Sequence, residues 1–115
     1  MSRVFVVQHQ KRRDPETGEL IDRFDLTAAS DYGSLRYLLG PQATPLRPRP
    51  TIQALQEGLS DFGEEDYVLL IGNPCLIGWT VAIASAKTGG RVKLLQWHPP
   101  SSSYLVIDSD VSACP

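Results

Sequence analysis

Residues 67–97 read YVLLIGNPCLIGWTVAIASAKTGGRVKLLQW, and this segment gives the clearest indication of the fold class. The run 67–72 is almost entirely apolar, which is typical of a strand that is buried on both faces. Asn73 and Pro74 then favour the start of a helix, because asparagine is a strong cap and proline suits the first helical position. The helix is expected to end at a glycine pair, and 91–97 reads as the next strand. The segment therefore predicts a βαβ unit with parallel strands.

The N-terminal region adds further elements to this unit. Residues 3–10 and 20–26 both have the composition and alternation of strands and enclose a charged turn, which predicts a β-hairpin. Residues 27–32 favour one helical turn with Thr27 as its cap. Residues 34–39 are too few for periodicity to distinguish a strand from a short helix.

The remaining segments complete the expected domain. Residues 40–50 carry four prolines and predict a proline-rich connector. Apolar residues recur at helical spacing over 51–62, 104–108 reads as a last strand, and 109–115 is expected to form a frayed tail. The prediction for residues 1–115 is a single α/β domain, with a mixed sheet around the central βαβ unit and about two packed helices.

Composition limits the classes of function. The chain has 115 residues, of which 42% are hydrophobic and 21% charged, as expected for one globular domain. Its net charge of −2 is unlike that of a dedicated DNA-binding protein, which is usually distinctly basic. It is also far from the acidic excess that would imitate a phosphate track.

Cysteine and histidine usage argues against a metal or disulfide framework. The two cysteines, Cys75 and Cys114, form no CxxC pair, and the two histidines lie far apart in the sequence. No metal and no cofactor is therefore predicted. The chain also shows neither the pattern of a signal peptide nor an apolar run long enough to span a membrane. The expected location is the cytoplasm, with no membrane partner.

The loop around Asn73 is the first candidate binding site. A helix N-terminus directs unpaired N–H groups and a partial positive charge at this position, where an anion such as a phosphate can bind. However, Gly72 and Gly78 match neither the dinucleotide-binding motif nor the P-loop, in which Trp79 would have to be a lysine. The competing interpretation is that Asn73 only caps a core helix.

Three further groups of residues carry potential chemistry. Arg91 and Lys93, with Trp97 nearby, are candidates for contacting nucleic acid by charge and stacking, or they are ordinary surface residues. Cys75 lies in a first helical turn, where a thiol is activated, but no general base can be assigned to it. Asp108 and Asp110 share a strand face without a third ligand. No catalytic residue is predicted.

Several segments together resemble a known group of proteins. These segments are VFVVQ near the start, the DPETGE turn, RFDLTAASDYG, DYVLLIGNPCLIGW and GGRVKLLQW. Over residues 3–108 the chain resembles small α/β proteins, without established activity, that bacteriophages and prophages encode. The resemblance implies a phage or prophage gene product that acts inside a bacterial host cell, and it transfers no functional residues.

Three hypotheses of function follow. The favoured one is a small non-enzymatic phage accessory protein that binds a host or phage macromolecule, with a protein as the expected partner. The alternative is a nucleic-acid-binding or nucleotide-binding protein that uses the loop around Asn73 and nearby basic side chains such as Arg91 and Lys93. A small hydrolase that uses Cys75 or the region of Asp108 is the third. The sequence leaves open whether the chain forms homo-oligomers.

Overall fold

The computed structural model describes residues 2–112. Its strands are β1 (Arg3–Gln8), β2 (Lys11–Arg13), β3 (Leu20–Asp22), β4 (Ser34–Leu39), β5 (Tyr67–Leu69), β6 (Arg91–His98) and β7 (Ser103–Asp110). Its α-helices are α1 (Pro48–Gly58) and α2 (Pro74–Lys87), and 3₁₀ helices span Thr27–Tyr32 and Pro99–Ser101. Five strands form one sheet in the order β4-β1-β5-β6-β7, and β2 and β3 form a separate two-stranded sheet. Only β7 runs antiparallel in the larger sheet, so the predicted mixed sheet is confirmed.

The central βαβ unit is also confirmed. β5 and β6 are parallel, with Val68 beside Leu94, and α2 connects them. The side chain of Asn73 caps α2 by accepting a hydrogen bond from the Cys75 N–H at 2.9 Å. β5 is shorter than predicted because the chain turns after Leu69.

The predicted pairing of 3–10 with 20–26 is wrong. β1 lies inside the larger sheet between β4 and β5 and is parallel to both, while the hairpin consists of β2 and β3. The physical reason is visible in β1, whose residues 4–7 are all apolar and fully buried. A strand of this kind needs cover on both faces, which an exposed hairpin cannot provide. The ambiguous residues 34–39 form a strand, β4, and 27–32 form a 3₁₀ helix with Leu26 as its cap residue.

Helix α1 begins three residues earlier than predicted and ends at Gly58. Pro48 and Pro50 of the expected connector lie in its first turn, where the missing proline N–H costs no hydrogen bond. The cap residue is Arg47, and Thr51 lies inside the helix, where its hydroxyl donates to the Thr44 carbonyl at 3.1 Å.

The C-terminal strand is longer than predicted. β6 and β7 pair without interruption from Arg91 opposite Asp110 to His98 opposite Ser103. Ser109 and Asp110, the first residues of the expected frayed tail, are therefore still part of the sheet. Residues 113–115, which include Cys114, lie outside the described part of the chain.

The two faces of the larger sheet are covered differently. α1 and α2 both pack on one face, where they bury Phe5, Val7 and Val68. We call the opposite side, which carries Val6 and Leu95, the open face. Its principal cover is the 3₁₀ helix Thr27–Tyr32 and the loop before it. Because this cover is short, a cleft is left beside it.

Candidate functional site

A cleft of about 900 Å³ lies on the open face, at the carboxyl ends of β5 and β6. It is lined by the loop after β3, the 3₁₀ helix that follows, the turn after β5, and the facing residues Trp97 and Tyr104 of β6 and β7. Phe24, Asp25 and Thr27 also line an adjacent depression of about 530 Å³. The carboxyl end of a parallel sheet is where ligands commonly bind in α/β folds.

The turn after β5 has a backbone that requires glycine. Gly72 has a φ of +137°, and a Cβ built there would lie 2.7 Å from the Cβ of Gln8. Gln8 is itself buried, and its Oε1 accepts a hydrogen bond from the Asn73 N–H at 3.0 Å. Its Nε2 donates to the carbonyls of Gly40 and Ala43. Gln8 thus ties the wall of the cleft to the start of α2 and to the segment after β4.

Replacing Gly72 by alanine is expected to lower the free energy of unfolding by about 1–3 kcal/mol, because it strains the backbone and displaces Gln8. Gly78→Ala is the matched control. Gly78 lies within α2, and a Cβ there meets no atom within 4 Å. The control should raise stability by up to about 1 kcal/mol, since alanine favours helix. Urea unfolding of both variants tests the prediction, and equal changes would contradict it.

Two aromatic rings are exposed at the cleft. Phe24 is 44% exposed and Trp97 is 45% exposed. The guanidinium of Arg23 lies 5.3 Å from the centre of the Phe24 ring. Trp97 makes an edge-to-face contact with Tyr104, with 5.1 Å between ring centres. Both rings are therefore held in position while remaining accessible.

The 3₁₀ helix is fastened to the opposite wall by Tyr32. Its hydroxyl donates to the carbonyl of Tyr104 at 3.2 Å. Its ring also contacts Tyr67 edge-to-face, with 5.5 Å between ring centres. These contacts set the width of the cleft.

The charges at the cleft have a negative excess. Arg23 is the positive side chain in the lining, and Asp25 and Asp31 are the negative ones. Hydrogen bonds from the Thr27 hydroxyl and N–H hold the pKa of Asp25 below its usual range, so this carboxyl is ionised at neutral pH. Burial and the charge of Asp25 raise the pKa of the Tyr104 hydroxyl, which stays neutral. The arrangement suits an apolar group with a cationic neighbour better than it suits a phosphate.

The structure separates the four candidate residues that the sequence suggested. Trp97 lies in the cleft, next to the turn that leads to Asn73. The side chain of Asn73 is engaged as the cap of α2. Arg91 and Lys93 lie at the other end of β6, and the four residue steps from Lys93 to Trp97 along the strand span about 13 Å.

Arg91 and Lys93 have acidic or aromatic neighbours where they lie. The Nε of Arg91 is 3.5 Å from a carboxylate oxygen of Asp110. The Nζ of Lys93 donates to the Glu65 carbonyl at 3.2 Å and lies 4.3 Å from the centre of the Tyr67 ring. Asp108 lies directly opposite Lys93 on β7. Little positive charge is left unmatched at this end of the sheet.

The residues considered for catalysis are not assembled into one site. Cys75 is exposed at the start of α2. The Nε2 of His9 lies 2.8 Å from the Asp22 carboxylate, and the Nδ1 of His98 lies 2.8 Å from the Ser101 hydroxyl. Within residues 2–112, no group of three or more histidine, cysteine, aspartate or glutamate side chains is placed to hold a metal ion. No helix in that part of the chain is both long and apolar enough to cross a membrane.

Sequence reasoning missed most of the cleft. The alternation of 20–26 predicts a hairpin strand for Phe24 and Asp25, and Tyr104 belongs to the predicted last strand. One local signal was available, since an aspartate two residues before a threonine is typical of a turn that the aspartate side chain closes. That signal locates the turn, but it does not show that Phe24 faces Trp97 across a cleft.

Comparisons with known proteins extend these observations. Neither the search of curated proteins nor that of solved structures found a match. Residues 2–111 match the model of the Phage Pam3 gp32-like protein family, which confirms the resemblance to phage-encoded proteins. Because the match spans nearly the whole chain, the protein belongs to the Phage Pam3 gp32-like protein family.

Proposed function

We propose that the protein is a non-enzymatic phage accessory protein that binds a host or phage protein in the cytoplasm of the bacterial host. The cleft is the proposed binding site. One observation carries the proposal, namely that Phe24 and Trp97 are exposed beside a cleft of about 900 Å³. Exposed aromatic side chains that are already held in place are typical of protein interfaces, because they bury a large area at little cost in entropy.

The charge at the cleft indicates the chemistry of the partner. Asp25 and Asp31 lie in its lining, and Asp25 is ionised. A partner that inserts an apolar side chain and has a lysine or arginine beside it would complement both features. Among the described residues that line the cleft there is no cysteine, histidine or lysine, which supports binding rather than nucleophilic chemistry.

The Trp97→Ala substitution tests this function. The protein would be captured from phage-infected cells together with its partner, and the affinity of the purified partner would then be measured. We expect Trp97→Ala to weaken binding by about 30-fold, since a central aromatic residue typically contributes about 2 kcal/mol or more. Leu46→Ala is the control, because Leu46 is 88% exposed in the connector and lies outside the cleft.

Two results would contradict the proposal. If Trp97→Ala and wild type bind the partner equally, the cleft is not the interface. If the captured partner is DNA or RNA, binding should weaken steeply with salt and in an Arg91→Ala, Lys93→Ala double variant, because phosphate contacts release counterions. That second result would support the nucleic-acid alternative.

A further inference from the structure

We propose that two copies of this chain form a symmetric dimer through the outer edges of their β7 strands, which pair antiparallel about Val106. This surface adjoins the wall of the cleft that carries Tyr104 and is separate from the wall that carries Phe24. The dimer does not depend on the function proposed above.

The first argument is that β7 has an outer edge without a strand partner. It is the outermost strand of the larger sheet and has eight residues. Among residues 2–112, no strand pairs with its outer side. An edge of this kind presents a row of N–H and C=O groups that can pair with another chain. Proteins usually protect such an edge with charged residues, proline or a bulge. β7 has no proline and no bulge, its two charged residues, Asp108 and Asp110, lie in its C-terminal half, and the Tyr32 hydroxyl binds one carbonyl near its start, that of Tyr104.

The second argument is the exposed apolar centre of the strand. Leu105, Val106 and Ile107 are 40%, 42% and 40% exposed. Leu105 and Ile107 lie on one face of the sheet, and Val106 lies on the other, because side chains alternate along a strand. An added strand would therefore cover apolar surface on both faces.

The third argument indicates that the chain pairing with the outer edge of β7 is a second copy of this protein. Read outward from Val106, the strand is nearly symmetric in residue type. Leu105 corresponds to Ile107, Tyr104 to Asp108, and Ser103 to Ser109. In an antiparallel pair centred on Val106, each of these residues lies opposite its counterpart. Apolar side chains then face apolar ones, serine hydroxyls face serine hydroxyls, and the carboxylate of Asp108 faces a neutral tyrosine, while Asp110 lies beyond the paired residues.

Other registers fit less well. Two residues that lie opposite each other on neighbouring strands must point to the same face of the sheet. The register can therefore shift only by two residues at a time. One step in one direction places Val106 opposite Asp108. One step in the other direction places Ser103 opposite Ile107. The first shift leaves Val106 opposite a carboxylate, and the second leaves Ile107 opposite a hydroxyl, so in each an apolar side chain loses the apolar partner it has in the proposed register.

The proposed register also continues the core of each subunit. Val106 pairs with Leu95, which is fully buried on the open face. In the dimer, Leu95 and Val106 of one copy are followed by Val106 and Leu95 of the second copy, so an apolar row crosses the junction. The result is a continuous ten-stranded sheet. Because the two-fold axis is perpendicular to the sheet, both clefts open on the same side.

The oligomeric state of the wild type and of Val106→Lys provides the first test. Sedimentation equilibrium of the wild type should give twice the 12.7 kDa mass of one chain. Val106→Lys should give the mass of one chain, since two lysines would oppose each other at the axis, while circular dichroism stays unchanged. Leu46→Lys makes the same kind of change at an exposed site outside β7 and should remain dimeric.

Disulfide cross-linking tests the register without disrupting the strand. In a background with Cys75→Ser and Cys114→Ser, a mixture of Ser103→Cys and Ser109→Cys chains should cross-link on oxidation. Ser103→Cys alone should not, because its two copies would be six residues apart along the pair, about 20 Å.

Several outcomes would overturn the proposal. In sedimentation equilibrium, these outcomes are a wild type that stays monomeric at every protein concentration measured, a Val106→Lys variant that stays dimeric, and an open assembly larger than a dimer. In the oxidation experiment, the outcome is cross-linking of Ser103→Cys alone.

Discussion

Replacing Phe5 by alanine is expected to lower the free energy of unfolding by about 3–5 kcal/mol. Phe5 is fully buried in β1, the strand that lies between β4 and β5. Its ring contacts Phe62 edge-to-face, with 5.3 Å between ring centres, and the Arg3 guanidinium lies 5.0 Å from its centre. Truncation removes these contacts and leaves a cavity that the surrounding strands cannot fill. Urea unfolding followed by circular dichroism measures the loss.

Phe24→Ala is the matched control for this prediction. It deletes the same side chain at a position that is 44% exposed, so we expect a change of about 0.5 kcal/mol or less. Comparing the two variants therefore separates the stability that comes from packing Phe5 in the core from any stability lost whenever a phenylalanine is truncated. Equal losses in both variants would contradict the central position of β1.

Asp66→Asn is expected to lower the free energy of unfolding by about 3 kcal/mol, the lower end of the cost of breaking a buried ion pair. The carboxylate of Asp66 is fully buried. It accepts hydrogen bonds from the Arg3 N–H at 3.0 Å, from Arg3 Nη2 at 2.8 Å and from the Gly63 N–H at 2.9 Å. Asparagine removes the charge and places an NH₂ group among these donors, so part of the network loses its acceptor.

Asp61→Asn is the control, because Asp61 also binds Arg3 but has a side chain that is 58% exposed. Its loss should cost about 1 kcal/mol or less, as is usual for an exposed ion pair. If both variants lost the same stability, burial would not account for the importance of Asp66.

The pH dependence of stability gives a second measurement on Asp66. Burial alone would raise its pKa, but the hydrogen bonds from Arg3 and Gly63 outweigh that effect and hold the pKa below its usual range. The unfolded chain therefore takes up this proton at a higher pH than the folded protein does. The stabilisation is complete above the unfolded pKa of about 3.9 and is lost as the pH falls through the folded pKa. Asp66→Asn should reduce the loss of stability in this acidic range.

Local sequence signals predicted the βαβ unit because each of its parts is determined by nearby residues. Asn73 and Pro74 start α2 through contacts within one helical turn. The apolar run of β5 requires burial in any fold. The N-terminal prediction failed because the alternation in 20–26 specifies a strand but not its partner. The four apolar residues 4–7 were the available sign that β1 is a central strand.

The candidate site could be predicted only in part. Trp97 was identified as a candidate and does line the cleft. Arg91 and Lys93 were grouped with it because they are close in sequence, but an extended strand places Lys93 and Trp97 about 13 Å apart. Phe24 and Tyr104 were not predicted as site residues, because no sequence signal near either residue indicates that the two line the same cleft.

Local sequence patterns specify the α/β class, the capped helix α2 and the parallel pairing of β5 with β6, because helix caps, apolar runs and crossover length are local properties. Tertiary structure alone shows which strands flank β1 and that Phe24 and Trp97 meet at one cleft. It also decided that the apolar centre of β7 is left at an edge. These features depend on the order of the strands and on how much of each face is covered. That order follows from packing among segments distant in sequence, which no local pattern encodes.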